Sequence, residues 1–151
     1  MFLVDTNVLS EQRRGSKANS GVLSFFRTAG KNVFLPVQVL GELRYGIEKL
    51  KRKGDLPQAQ VLEEWFQSVL EEYAQRILVF DLNAAKIWGD FMGASDQHIV
   101  DKQIAAIAMV YDLTVVTRNT NDFNGTGVRL LNPFHRDAVS GKPPTRRRSH
   151  L

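Results

Sequence analysis

The chain has 151 residues, no cysteine, 20 Lys+Arg, 16 Asp+Glu and a hydrophobic fraction of 43%. This length fits one domain with a core of ordinary size. The lack of cysteine excludes disulfide scaffolds, thiolate zinc sites and cysteine nucleophiles, in keeping with a reducing cytoplasm as the expected location. Residues 1–134 carry 15 basic and 15 acidic side chains, so the formal excess of +4 lies wholly in the last 17 residues, and the body offers no obvious basic track.

In chain order, Phe2–Val4 is the first β-rich run and Val33–Leu35 the second. Pro36 suits a first helical turn, and Val39, Leu40, Leu43, Ile47 and Leu50 follow at helical spacing until Gly54. Leu62, Trp65, Phe66, Val69 and Tyr73 mark a second helix, with core the first assignment for its aromatic stripe and a dimer interface the alternative. Ile77–Phe80 is a third strand, residues 83–92 and 101–111 are two more helices, Thr114–Thr117 is a fourth strand, and Val128–Leu131 a weaker fifth. Short apolar runs alternating with helices indicate an α/β fold with a mostly parallel sheet. The longest unbroken apolar run, Ile104–Tyr111, has 8 residues, too short for a membrane span, and Met1–Val4 before Asp5 is too short for a signal sequence. The terminal HRDAVSGKPPTRRRSHL (135–151) has no apolar periodicity and reads as a disordered basic tail. A solvated terminus is favoured there over a tether for nucleic-acid phosphates.

Parallel α/β sheets place their sites outside the carboxyl ends of the strands. Asp5, Thr6 and Asn7 follow strand one, Glu42 lies about two turns into the helix after strand two, Asp101 opens the helix before strand four, and Thr117 to Asp122 follow strand four. Each acid has an ordinary structural reading. Asp5 and Asp101 fit helix N-caps, which stabilise by about 1 kcal/mol, and Asp122 fits a turn. Glu42 has apolar neighbours at helical spacing, which sets it on or beside a buried stripe with Arg44 or Arg118 as its partner. Taken together the four read as a site. Crowded carboxylates repel one another, and a divalent cation removes that penalty. With no cysteine, and with His135 and His150 in the tail beside a lone His98, hard oxygen donors point to Mg²⁺ or Mn²⁺ and to phosphate chemistry.

FLVDTNVLS, VLGELRYGI, DKQIAAIA, VVTRNTNDF and LLNPF occur in this order over residues 1–134. In these segments the chain resembles the PIN domain, within it the VapC-type toxins of toxin–antitoxin pairs, and among those the FitB-like branch. The resemblance implies a three-layer α/β/α fold with a central parallel sheet of five strands in the order 3-2-1-4-5. It also implies a metal-dependent ribonuclease that cuts RNA, often transfer RNA, to stop translation. Carried onto this chain, the metal-binding acids are Asp5, Glu42, Asp101 and Asp122, with Thr117 orienting the cluster or its water, and Asn7 and Asn119 at its edge. Many relatives carry a second acid near Asn119, so the amide here leaves the metal count open. In the mechanism this implies, Asp5, Asp101 and Asp122 hold Mg²⁺, Glu42 completes the site or deprotonates the attacking water, and Arg118 contacts substrate phosphate or pairs with a site acid. The implied partners are RNA, a DNA-binding antitoxin that inserts an Arg into the acidic cleft, a second copy in a homodimer, and promoter DNA through the antitoxin, with no membrane. Two alternatives stand beside this. One is a binding module that serves mainly in a promoter-bound complex. The other is an aspartyl phosphatase, which wants an acid where Asn7 stands.

Overall fold

The computed structural model describes residues 1–135, so the expected basic tail lies, from residue 136 on, outside the described residues. Five strands form one sheet: β1 (Phe2–Val4), β2 (Val33–Pro36), β3 (Ile77–Leu78), β4 (Thr114–Val116) and β5 (Leu130–Leu131). All four pairings are parallel, and the order is β3-β2-β1-β4-β5, the order the resemblance implies. Six α-helices flank the sheet among the described residues: α1 (Thr6–Gln12), α2 (Ser20–Ala29), α3 (Val37–Arg52), α4 (Leu56–Glu72), α5 (Leu82–Ala94) and α6 (Ile99–Tyr111). None of them is long and apolar enough to cross a membrane.

The layering follows from the two-residue period of a strand. Leu3 and Val115 are register neighbours on one face of the sheet and pack with Ile104, Ile107 and Phe123 beneath α5 and α6. The next pair, Val4 and Val116, faces the other way onto Val8, Val22, Val39 and Val69 of α1 to α4. Both faces of β1 are therefore covered, which is why it reads as an unbroken apolar run. Ile104 to Ala108 of α6 are all fully buried, so this helix is wedged against the sheet. Each such isoleucine stabilises by about 1.5–3 kcal/mol relative to exposure.

Several boundaries differ from the sequence expectation. Pro36 ends β2 in an extended conformation and caps α3 rather than lying inside its first turn. Both edge strands, β3 and β5, are two residues long because their outer sides have no partner to extend the ladder. α4 begins at Leu56, ahead of the Leu62 stripe, with Asp55 as N-cap and Pro57 in the first turn. Tyr73 is buried and Trp65 packs partly against the core, as assigned.

β1 is flanked by β2 on one side and β4 on the other. The chain leaves β1 toward α1 on one face, while β4 is fed by α6 from the opposite face. The crevice between the carboxyl ends of β1 and β4 is thus the topological switch point, where open α/β sheets hold their ligands.

Candidate active site

Asp5 and Thr117 are the residues that leave β1 and β4 at this crevice. The Asp5 amide donates to the Val116 carbonyl at 3.0 Å, so the β1–β4 ladder runs into the site and fixes its backbone. The Asp5 side chain is only 6% exposed. Its Oδ1 accepts from the Thr6 amide at 2.8 Å, and its Oδ2 accepts from the Thr117 hydroxyl at 2.9 Å and from Asn7 Nδ2 at 3.4 Å. Asp5 is thus the N-cap of α1 and a wall of the cleft at once. Burial is the main force raising its pKa. The Thr117 and Thr6 hydrogen bonds oppose that rise and the Asp122 charge adds to it.

Thr117 is fully buried and its hydroxyl is shared three ways. It donates to Asp5 and accepts from the Asn119 amide at 3.1 Å and from Asn7 Nδ2 at 3.3 Å. Asn7 Oδ1 in turn accepts from the Arg118 amide at 3.0 Å. These bonds tie the loop after β4 to the start of α1.

Glu42 lies beside the buried stripe and without the arginine partner of its ordinary structural reading. It is exposed, and its Oε2 accepts from the Thr6 hydroxyl at 2.5 Å, not from an arginine. The buried side of α3 runs through Val39 and Ile47, and Glu42 sits beside it, facing the cleft. Arg44 is engaged elsewhere, with Glu63 at 2.7 Å and Glu48 at 3.1 Å. The guanidinium of Arg118 lies over the Phe134 ring at 4.7 Å, and among the described residues it forms no ion pair with a site acid.

Asp101 also departs from expectation. It lies in the first turn of α6 rather than at its N-cap. The cap position belongs to His98, in the left-handed region at φ 55°, which a non-glycine residue seldom adopts. Asp101 is pushed up to about 6, mainly by burial, then by the charges of Asp5 and Asp122, with Glu42 adding and His98 opposing. Asp122 lies in a 3₁₀ turn, Thr120–Phe123, anchored by the buried Phe123.

Asp5, Glu42, Asp101, Asp122, Thr6, Asn7 and Asn119 line one open cavity of about 330 Å³. All four sequence-chosen acids are therefore brought together. Sequence reasoning passes over His98. Its Nδ1 stands 3.6 Å from Asp101 and 3.9 Å from Asp122, and one donor atom from each of the three residues lies within 4.8 Å of the others. The available signal is its place three residues before Asp101, the spacing that sets two side chains on one helix face. Among the described residues no Lys or Arg pairs with any of the four acids. A mutually repelling carboxylate set anchored on the buried Asp5, with no Lys or Arg of its own among the described residues and one imidazole beside it, fits a divalent metal ion.

The sequence profile of the PIN domain matches residues 2–127. Toxin FitB of Neisseria gonorrhoeae is 34% identical over 143 residues, covering 89% of this chain and 99% of that protein. VapC ribonuclease Y4jK of Sinorhizobium fredii is 28% identical over 141 residues, covering 89% of this chain and 98% of that protein. The structure of FitAB bound to an IR36 DNA fragment superposes with a TM-score of 0.72 at 32% identity, covering 92% of this chain and 99% of that one. With its sheet order, its acidic switch-point cleft and these similarities, the chain belongs to the PIN domain family, among its VapC- and FitB-like toxins.

Proposed function

We propose that this protein is a metal-dependent endoribonuclease, the toxin of a toxin–antitoxin pair, which hydrolyses RNA phosphodiester bonds, with transfer RNA as a candidate substrate, and so halts translation in the cytoplasm. The observation that carries the reading is the convergence of Asp5, Glu42, Asp101 and Asp122 on one cavity, with no Lys or Arg paired to them among the described residues. The ribonuclease name of one relative and the toxin name of another support it.

In this reading Asp5, Asp101 and Asp122, with His98 beside them, would hold Mg²⁺ or Mn²⁺. Bound there, the ion supplies neutralisation of phosphoryl charge and a more acidic water. The chain's own groups do the rest. Thr117 and Asn7 hold the Asp5 carboxylate in one orientation. Glu42, which lines the cavity, spends Oε2 on the Thr6 hydroxyl, and its other oxygen would take the proton of the attacking water. Asn119 lines the edge of the cavity where substrate enters. The same acids suit an antitoxin guanidinium, which binds two carboxylate oxygens at once. A homodimer, and promoter DNA reached through the antitoxin, complete the proposed assembly.

Purified protein should cleave RNA with Mg²⁺ or Mn²⁺ and stop in EDTA, and Asp5→Asn should abolish cleavage while the protein stays folded. Undiminished cleavage in EDTA would overturn the mechanism. Tight antitoxin and promoter binding with no cleavage under any metal would favour a purely regulatory partner.

A further inference from the structure

The sheet's carboxyl edge holds a second polar cavity, of about 280 Å³, whose lining includes Arg14, Lys17 and Arg118. We propose that it holds a phosphate of the RNA strand flanking the one being cut, an inference that rests on the ribonuclease reading above. The three cations come from two distant parts of the sequence. Arg14 caps the 3₁₀ turn Gly15–Lys17 that follows α1 and Lys17 ends it, and Arg118 comes from the loop after β4. Only the fold brings them together, in a body whose formal charge over residues 1–134 is zero.

Like charges gathered at one cavity repel unless an anion is shared. The acid at this cavity is Glu11, which is already engaged. It accepts from the Asn19 amide at 2.8 Å and from Arg14 at 3.0 Å, and these bonds, the Asn19 one foremost, hold its carboxyl below the usual range. It stays ionised and offsets one of the three cations. Arg14 and Arg118 keep donors to spare, since each guanidinium carries five N–H groups. Among the described residues neither Lys17 nor Arg118 forms an ion pair. Phe134 supports the Arg118 guanidinium from one face at 4.7 Å, which pre-orients its plane. The α2 N-terminus adds partial positive charge nearby, although the Gly21 amide is already taken by the Asn19 side chain. The side chains are therefore the recognition elements.

The place of the cavity favours RNA over a protein carboxylate. The Arg118 amide donates to Asn7, and Asn7 Nδ2 reaches both Asp5 and Thr117, so the basic cavity and the acidic cleft share a wall. α1 spans 7 residues between them, about 10 Å of helix. A strand with its scissile phosphate over the acids carries further phosphates along this wall, and the cations would hold it there against the repulsion of the acidic cleft.

The test uses the full chain and the variants Arg14→Ala/Lys17→Ala and, separately, Lys17→Glu. It reads single-stranded RNA binding across a salt series, cleavage kinetics with Mg²⁺, and melting temperature. Both cations are exposed, so the melting temperature should hold. The double variant should raise KM about tenfold with kcat little changed, and should flatten the log–log salt slope of binding by ~0.7 for each phosphate it no longer neutralises. An RNA with one neutral methylphosphonate at the flanking position should lose affinity for the wild type and not for the double variant. Unchanged KM and salt slope in both variants would overturn the proposal while leaving the ribonuclease reading intact. Weakened antitoxin binding with unaltered RNA binding would also overturn it, in favour of a protein carboxylate. RNA binding that falls as stated in a protein that never cleaves would support the pocket and sink the nuclease reading.

Discussion

Asp101→Asn should stabilise the metal-free protein and abolish its activity, a combination that an ordinary structural acid does not give. The Asp101 carboxyl is pushed from an ordinary 3.8 up to about 6, chiefly by burial and by Asp5 and Asp122. Because the folded pKa lies above the unfolded one, the fold binds a proton more tightly than the unfolded chain does. Stability therefore falls as pH rises from 3.8 to about 6, is unaffected below that window, and carries the full penalty above it. Two units amount to about 3 kcal/mol near pH 7. The Asp101 side chain is 27% exposed, and solvent screening brings the expected gain of the neutral variant to about 1–2 kcal/mol. For a domain of this size that is a rise in melting temperature of roughly 3–6 °C. Thermal unfolding in EDTA at several pH values reads the effect directly. The variant should exceed the wild type above about pH 6 and converge with it toward pH 4. Excess Mg²⁺ should then stabilise the wild type more than the variant, since the ion offsets a repulsion that the variant lacks. An Asp101→Asn protein no more stable than wild type in EDTA near neutrality, or an offset that does not change with pH, would refute the account of the cleft as an uncompensated charge cluster.

Two further outcomes are expected. Thr117→Val removes a fully buried hydroxyl that serves Asp5, Asn7 and Asn119, and should cost about 1–3 kcal/mol in urea unfolding and depress cleavage, with Thr117→Ser restoring both. His98→Ala should weaken Mn²⁺ binding measured by calorimetry, with a smaller loss for Mg²⁺, because imidazole is a better partner for manganese than for magnesium.

The legible parts of this protein are those where one residue type has one physical use. Strands buried on both faces can only be apolar runs, so β1, β2 and β4 stand out as Phe2–Val4, Val33–Leu35 and the run from Thr114. Asp5 and Asp122 are legible because polar residues just after a buried strand sit at the sheet's carboxyl edge. Periodicity puts Glu42 on the right helix, on or beside its buried stripe, and leaves open which of the two. A helical repeat locates a stripe without showing which flank of it faces a cleft. α2 does not stand out from its surroundings, because Val22 to Phe26 is a short apolar stretch whose Asn19 cap resembles any loop residue. His98 escapes for a different reason. Its reach to Asp101 and Asp122 depends on a left-handed backbone at the N-cap of α6, which the three-residue spacing to Asp101 does not by itself announce. The basic cavity is invisible in the sequence because Arg14 and Arg118 are about a hundred residues apart and meet only through the β1–β4 pairing.

The acids of the cleft are unequally committed, and this inequality bears on how the proposed metal ion and the proposed antitoxin guanidinium would share one site. An ionised carboxylate offers about four acceptor directions. Asp5 has already used three of them, on Thr6, Thr117 and Asn7. It is therefore rigid and has little capacity left beyond one donor bond toward the cavity. Among the described residues, by contrast, neither Asp101 nor Asp122 accepts a hydrogen bond from an amide or a hydroxyl, and the one basic group in ion-pair range of both is the His98 ring. Their free acceptors lie on the α6 side of the cleft, so a cation entering the site meets one fixed oxygen from β1 and several adaptable ones opposite. A hydrated divalent ion can fill that space, and so can a planar guanidinium with its five donors. Competition between metal and arginine would then be decided at Asp101 and Asp122, while Asp5, held by the sheet, keeps its place under either occupant.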